Sequence, residues 1–156
     1  MAASAPLNVV ILAAGKGTRM RSARPKVLHE AAGLPLLVWV VRAAQGLNPA
    51  HLHLVVGPKT EAEAAQGVLP GQDAATSWSV QTERKGTGHA LAQSKTALQD
   101  APGYTLVLYA DTPLVTTQAL AELIADTLAN GADLALSTFE AGQPAGYGRV
   151  ILDAEG

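Results

Sequence analysis

Apolar positions along the chain come in short runs, and between the runs the apolar spacing is helical. Residues 7–14 form the first run, ended by Gly15, and read as a strand. Residues 36–44 carry helical spacing, opened near Pro35 and closed at Gly46. His51–Val56 reads as a second strand, stopped by Gly57-Pro58. Residues 60–68 predict a short polar helix with Thr60 as N-cap and Glu63 completing a capping box. Residues 77–81 predict a third strand and residues 87–98 a helix. Tyr104–Tyr109 is a fourth strand, nearly all apolar, and Thr117–Ala129 a helix ended by Asn130-Gly131. Two more strands are predicted at 133–139 and 147–152.

Repeated strand–helix units with apolar strands predict an α/β fold: a mostly parallel sheet with helices on both faces. Sites in such sheets lie at the carboxyl ends of the strands. Ala14-Gly15, Gln81 and Asp111 occupy those positions. No repeat or linker interrupts the chain, which reads as one domain over 1–156. Asp153-Ala154-Glu155-Gly156 reads as a turn after a strand, so the chain is expected to be cut short at its carboxyl end.

Composition narrows the picture. The chain is 48% hydrophobic but only 4% aromatic, so its core must be aliphatic. Low charge with high hydrophobicity excludes disorder. The absence of cysteine excludes disulfides, thiolate zinc sites and a cysteine nucleophile. Net charge is −2, which argues against a nucleic-acid module, but its distribution is lopsided. Residues 1–29 hold Lys16, Arg19, Arg21, Arg24 and Lys26 with no acidic residue, a local charge of +5 that leaves −7 for the rest. Concentrated positive charge on an acidic chain suits a small anion. Residues 9–14 lack preceding positive charge, so they do not read as a signal peptide, and no run is long enough to span a membrane. A soluble cytoplasmic protein without a membrane partner is the expectation.

After the first strand comes Leu12-Ala13-Ala14-Gly15-Lys16-Gly17-Thr18-Arg19-Met20, then Pro25-Lys26. Small residues allow close backbone approach, and exposed amides with Lys16, Arg19 and Lys26 can hold a triphosphate. The dinucleotide fingerprint fails because Met20 stands at its third glycine and no acidic residue follows about 20 positions from the loop start, the Walker A loop fails on spacing, and the Gly-x-Ser-x-Gly nucleophile elbow is absent. Arg21 and Arg24 read as solvated. Asp111, in Tyr109-Ala110-Asp111-Thr112-Pro113-Leu114, can hold Mg²⁺ or cap the following loop. Gln81 could bond a base edge, and Gly86 with Thr87 could let a base lie on backbone, Thr87 serving also as N-cap. His89, single and without an evident partner, reads as a helix-face residue that touches no ligand.

These segments, with Pro25-Lys26-Val27-Leu28-His29, Gly86-Thr87-Gly88-His89-Ala90 and Gly146-Tyr147-Gly148-Arg149-Val150, occur in order over nearly the whole chain. Together they resemble the uridyltransferase half of the bacterial bifunctional N-acetylglucosamine-1-phosphate uridyltransferase / glucosamine-1-phosphate N-acetyltransferase family. The resemblance implies a Rossmann-like nucleotide-diphospho-sugar transferase fold. It implies that UTP and N-acetylglucosamine 1-phosphate react with Mg²⁺ to give UDP-N-acetylglucosamine and pyrophosphate, for peptidoglycan and lipopolysaccharide precursors. On this resemblance Leu12, Ala13, Ala14 and Gly15 meet uridine, Arg19 and Lys26 grip phosphates, and Gln81, Gly86 and Thr87 form the uracil site. Asp111 is a metal ligand within a stretch from Tyr109 through Ala110 that borders nucleotide and sugar, and Gly148 contacts the sugar.

Two departures stand out. The family has Gly where this chain has Ala110, whose methyl crowds the ligand if its φ is positive and does nothing if the backbone is extended. The family's later sugar-binding Glu and Asn, its second metal-binding Asn, and its trimer-forming β-helix acetyltransferase half have no counterpart here. The piece is therefore expected to be monomeric and of low activity. Competing readings are a related transferase, such as a molybdopterin guanylyltransferase or methylerythritol cytidylyltransferase, and a non-catalytic nucleotide-binding domain.

Overall fold

In the computed structural model, residues 5–15, 17–60, 76–83 and 85–151 are described. They form β1 (Leu7–Ala13), a small hairpin of β2 (Glu30–Ala31) and β3 (Leu34–Pro35), α1 (Leu36–Gln45), β4 (His51–Val56) and β5 (Thr76–Val80). Then follow α2 (Thr87–Ala92), α3 (Lys95–Leu98), β6 (Tyr104–Tyr109) and α4 (Thr117–Ala129). The chain divides into two compact units, residues 1–122 and 123–156.

In the first unit, the main sheet runs β5-β4-β1-β6 with every pairing parallel. β1 is central: Ile11 stands opposite Leu54 on one side and Leu108 on the other. Its side chains alternate between two buried layers, as strand geometry requires. Val9, Ile11 and Ala13 pack with Leu52, Leu54 and Val56 against Leu37, Val40, Val41 and Ala44 of α1. Val10 and Leu12 face the other way, with Val55, against Ala90, Leu91 and Leu98. Helices thus cover both faces, as the apolar strands predict.

His53 belongs to the second layer. Its ring nitrogens lie 2.8 Å from Ser77 Oγ and 3.0 Å from Ser79 Oγ, and burial pushes the imidazole below its ordinary pKa.

Several expectations need correction. β1 stops at Ala13, and the third predicted strand is shifted to Thr76–Val80. The predicted helix over 87–98 is two helices, interrupted at Gln93-Ser94. There Gln93 Nε2 donates to His89 O at 3.1 Å and Ser94 Oγ donates to Leu91 O at 2.7 Å, side chains competing for helix carbonyls. The cap of α2 is Gly86, with Thr87 the first helical residue. Residues 58–60 are already helical, so Thr60 is not a cap; Pro58 suits a first helical position because its missing N–H would have no partner there. The rest of that predicted helix, Glu63 included, lies outside the described residues, as does Lys16. The hairpin went unread because two-residue strands carry no periodicity. Its turn, Ala32-Gly33, has φ of 49° and 79°, the positive pair that a two-residue hairpin favours.

In the second unit, the end of α4 closes as a Schellman turn: Gly131 N donates to Leu128 O, Ala132 N donates to Thr127 O, and Gly131 has φ +60°. Residues 133–139 and 147–151 are not strands, contrary to the pattern. A strand exists only through pairing, and among the described residues none pairs with these. Leu134 and Ile151 remain 77% and 89% exposed. Phe139 and Tyr147 meet edge to face at 5.3 Å.

Candidate active site

The parallel sheet brings three strand ends of the first unit together. β1 ends in the glycine loop, β5 runs into Gln81, and β6 ends two residues before Asp111. Backbone bonds fasten two of these ends to neighbouring strands: Gln81 N donates to Val56 O of β4 at 2.8 Å and Ala110 N donates to Leu12 O of β1 at 3.1 Å.

One hollow of about 230 Å³ is lined by Gly15, Gly17, Thr18, Arg19, Met20, Lys26 and Asp111. The three charged residues singled out for phosphate and metal therefore share one space. Lys26 Nζ lies 2.7 Å from Asp111 Oδ2. Among the described residues, Asp111 Oδ1 has no protein partner. Lys26 is held from below: Val27 and Leu28, in the same short 3-10 turn, are buried in the core. Gly17 has φ +59°, and a Cβ there would stand 2.5 Å from Lys26 Cβ. Only a glycine lets the loop close over Lys26 in this way.

A second, mostly apolar hollow of about 280 Å³ adjoins the first through Gly15, Lys26 and Asp111. Leu12, Ala14, Gln81, Gly86, Thr87 and Tyr109 line it, as do Val27 and Ala90, which sequence reasoning missed. Gly86 has φ +100° and open space where a side chain would be, so backbone faces the hollow there. Gln81 is 3% exposed, and its Nε2 lies 2.9 Å from His89 Nδ1. His89 thus has a side-chain partner that its isolation in the sequence concealed. The signal available was its place in the first turn of a helix that follows Gln81 across a short connection.

Not every candidate faces these hollows. Ala13 and Ala110 are buried in the core layer under α1. Ala110 is not among the described residues with positive φ, so its methyl joins the core and does not crowd the hollow. Gly148 belongs to the second unit, where it lines a separate hollow with Phe139, Tyr147 and Arg149. Arg24, read as solvated, lies 3.7 Å from Glu30. No described helix is long and apolar enough to cross a membrane.

Residues 9–155 match the MobA-like NTP transferase domain family. The "Bifunctional protein GlmU" of Chromohalobacter salexigens is 45% identical over 150 residues, 96% of this chain. The chain spans only 31% of that relative's length. Among solved structures, Rv0371c of Mycobacterium tuberculosis in complex with manganese aligns with a TM-score of 0.58 at 21% identity, covering 81% of this chain and 61% of that one. The 4-diphosphocytidyl-2C-methyl-D-erythritol synthase of Anaerococcus prevotii aligns at 0.63 and 14% identity, covering 79% and 51%. These structures share the fold. With its sheet, its glycine loop and a family match over nearly its whole length, the chain belongs to the MobA-like NTP transferase domain family.

Proposed function

We propose that the site binds UTP and N-acetylglucosamine 1-phosphate and joins them as UDP-N-acetylglucosamine with release of pyrophosphate. The observation that carries this reading is the shared hollow of Arg19, Lys26 and Asp111, continuous with an apolar recess under Gln81. The choice of uridine and of the sugar rests on the sequence resemblance, as does a cytoplasmic location.

In this reading the recess takes the base. Leu12, Ala14 and the backbone at Gly86 and Thr87 form its walls, and Gln81 supplies the polar edge. The triphosphate lies over the loop at Gly15 and Gly17. A phosphate oxygen of the sugar phosphate attacks the α-phosphorus of UTP, a new P–O bond forms, and the bond to the bridging oxygen breaks. Pyrophosphate leaves with that oxygen. Arg19 can fork two phosphate oxygens, while Lys26 offers a compact charge. Both offset the repulsion of anions crowded into one space, which is most of what such a reaction asks of a protein.

Asp111 fits a divalent cation. It offers a hard carboxylate at the hollow, with Oδ1 uncommitted among the described residues. Magnesium takes few protein carboxylates and completes its shell with phosphates and water. Mg²⁺ held there would polarise the phosphate oxygens and neutralise charge on the leaving group. A cation on Oδ1 would leave Oδ2 to Lys26.

Calorimetry with UTP, CTP and GTP tests the reading. UTP should bind best, and more tightly with Mg²⁺ than without. A preference for GTP or CTP assigns the site to a different nucleotide and overturns it.

A further inference from the structure

His89 does not line the recess, yet it bonds the side chain that does. An amide nitrogen can only donate, so Gln81 Nε2 at 2.9 Å makes His89 Nδ1 the acceptor and leaves the ring proton on Nε2. We infer that His89 is a positioning residue for base choice: it fixes which way round Gln81 presents its carboxamide, and so favours uracil over cytosine. This rests on the uridine reading above.

With one N–H held by His89, Gln81 keeps an oxygen acceptor and one N–H donor. Uracil offers the complement, an N3–H beside a carbonyl oxygen. Cytosine offers the reverse, an N3 lone pair beside an N4 amino donor. To suit cytosine the amide must turn over. Its oxygen would then meet the lone pair of His89 Nδ1 at hydrogen-bond distance, and the bond is lost unless the ring changes tautomer. Burial sharpens the penalty, because Gln81 is 3% exposed and its amide has little access to water. The histidine is itself held by its helix, where Gln93 Nε2 bonds its carbonyl at 3.1 Å.

The test compares UTP and CTP binding by calorimetry in wild type, His89→Phe, His89→Ala and His89→Asn, with inorganic triphosphate as a base-free probe. His89→Phe keeps a ring without the acceptor, and His89→Ala removes both. Each should cut the preference for UTP over CTP by about tenfold, the worth of one hydrogen bond, and leave inorganic triphosphate binding unchanged. His89→Asn, whose Oδ1 can stand near Nδ1, should restore most of the preference. An unchanged preference in both Phe and Ala variants, or no rescue by Asn, overturns the inference and leaves the uridine reading intact. A wild type without UTP preference overturns that reading first, and the inference with it. The wild type also gives an answer independent of any variant's folding. Its ¹⁵N shifts in mildly alkaline buffer should show the ring proton of His89 on Nε2, and a proton on Nδ1 refutes the arrangement.

Discussion

Lys26 and Asp111, 85 residues apart in sequence, meet at 2.7 Å at the mouth of the sheet. Both side chains are about a third or more exposed, so the pair adds little to folding, under about 1 kcal/mol once solvent screening is counted. On the proposed function its part is in ligand binding. Lys26→Met should leave the urea midpoint nearly unchanged and weaken triphosphate binding roughly 10- to 100-fold, the worth of a charge-assisted bond. A large loss of stability with intact affinity would contradict the assignment.

The partner carboxylate predicts a different signature. Asp111→Asn removes the negative charge that, on the proposed function, would attract a divalent ion. The gain in UTP affinity on adding Mg²⁺ should shrink in this variant, while binding without Mg²⁺ holds or improves. Titration of UTP with and without the cation reads both quantities.

Gly17→Ala combines two costs. It puts a side chain at φ +59°, and it sets a methyl 2.5 Å from Lys26 Cβ. The backbone strain alone costs about 1–2 kcal/mol. Lower stability in urea should come with weaker triphosphate binding, because Lys26 must move.

Leu28→Ala tests the support beneath Lys26. Leu28 is fully buried, and its truncation should cost about 2–5 kcal/mol of folding free energy. Because Leu28 shares a short turn with Lys26, triphosphate affinity should fall even in conditions where the variant is folded.

His53 gives a pH prediction. Its folded pKa lies below the ordinary 6.5 because burial disfavours the charged ring. As pH falls through 6.5 the unfolded chain takes up a proton that the folded chain refuses, so stability is lost until the folded pKa is passed. Above that window the contribution is fully present. Urea unfolding should show a smaller acid-induced loss in His53→Gln than in wild type. Equal losses would remove His53 as a source.

The strands at His51–Val56 and Tyr104–Tyr109 were legible residue for residue, because each carries a short apolar run, residues 54–56 and 106–108, although Tyr104 and Tyr109 at the ends of the second are exposed. Carboxyl-end reasoning also located Gly15, Gln81 and Asp111, which line the two adjoining hollows. Residues 133–139 misled because a run rich in apolar residues records a capacity to pair and says nothing of whether a partner is there. The split of 87–98 turned on the hydroxyl of Ser94 and the amide of Gln93, whose choice of carbonyl no periodicity encodes. The Lys26–Asp111 and Gln81–His89 pairs depend on three-dimensional closeness, of which the spacing gave only the neighbourhood.

The tie between Ala110 N and Leu12 O has a consequence for redesign. It fastens the rims of β1 and β6 through main chain alone, so the spacing of these two strand ends does not depend on which side chains decorate them. On the proposed function, nucleobase choice and polyphosphate grip then become separate dials. Exchanging side chains around Gln81 should retune the first and leave the second at its original setting.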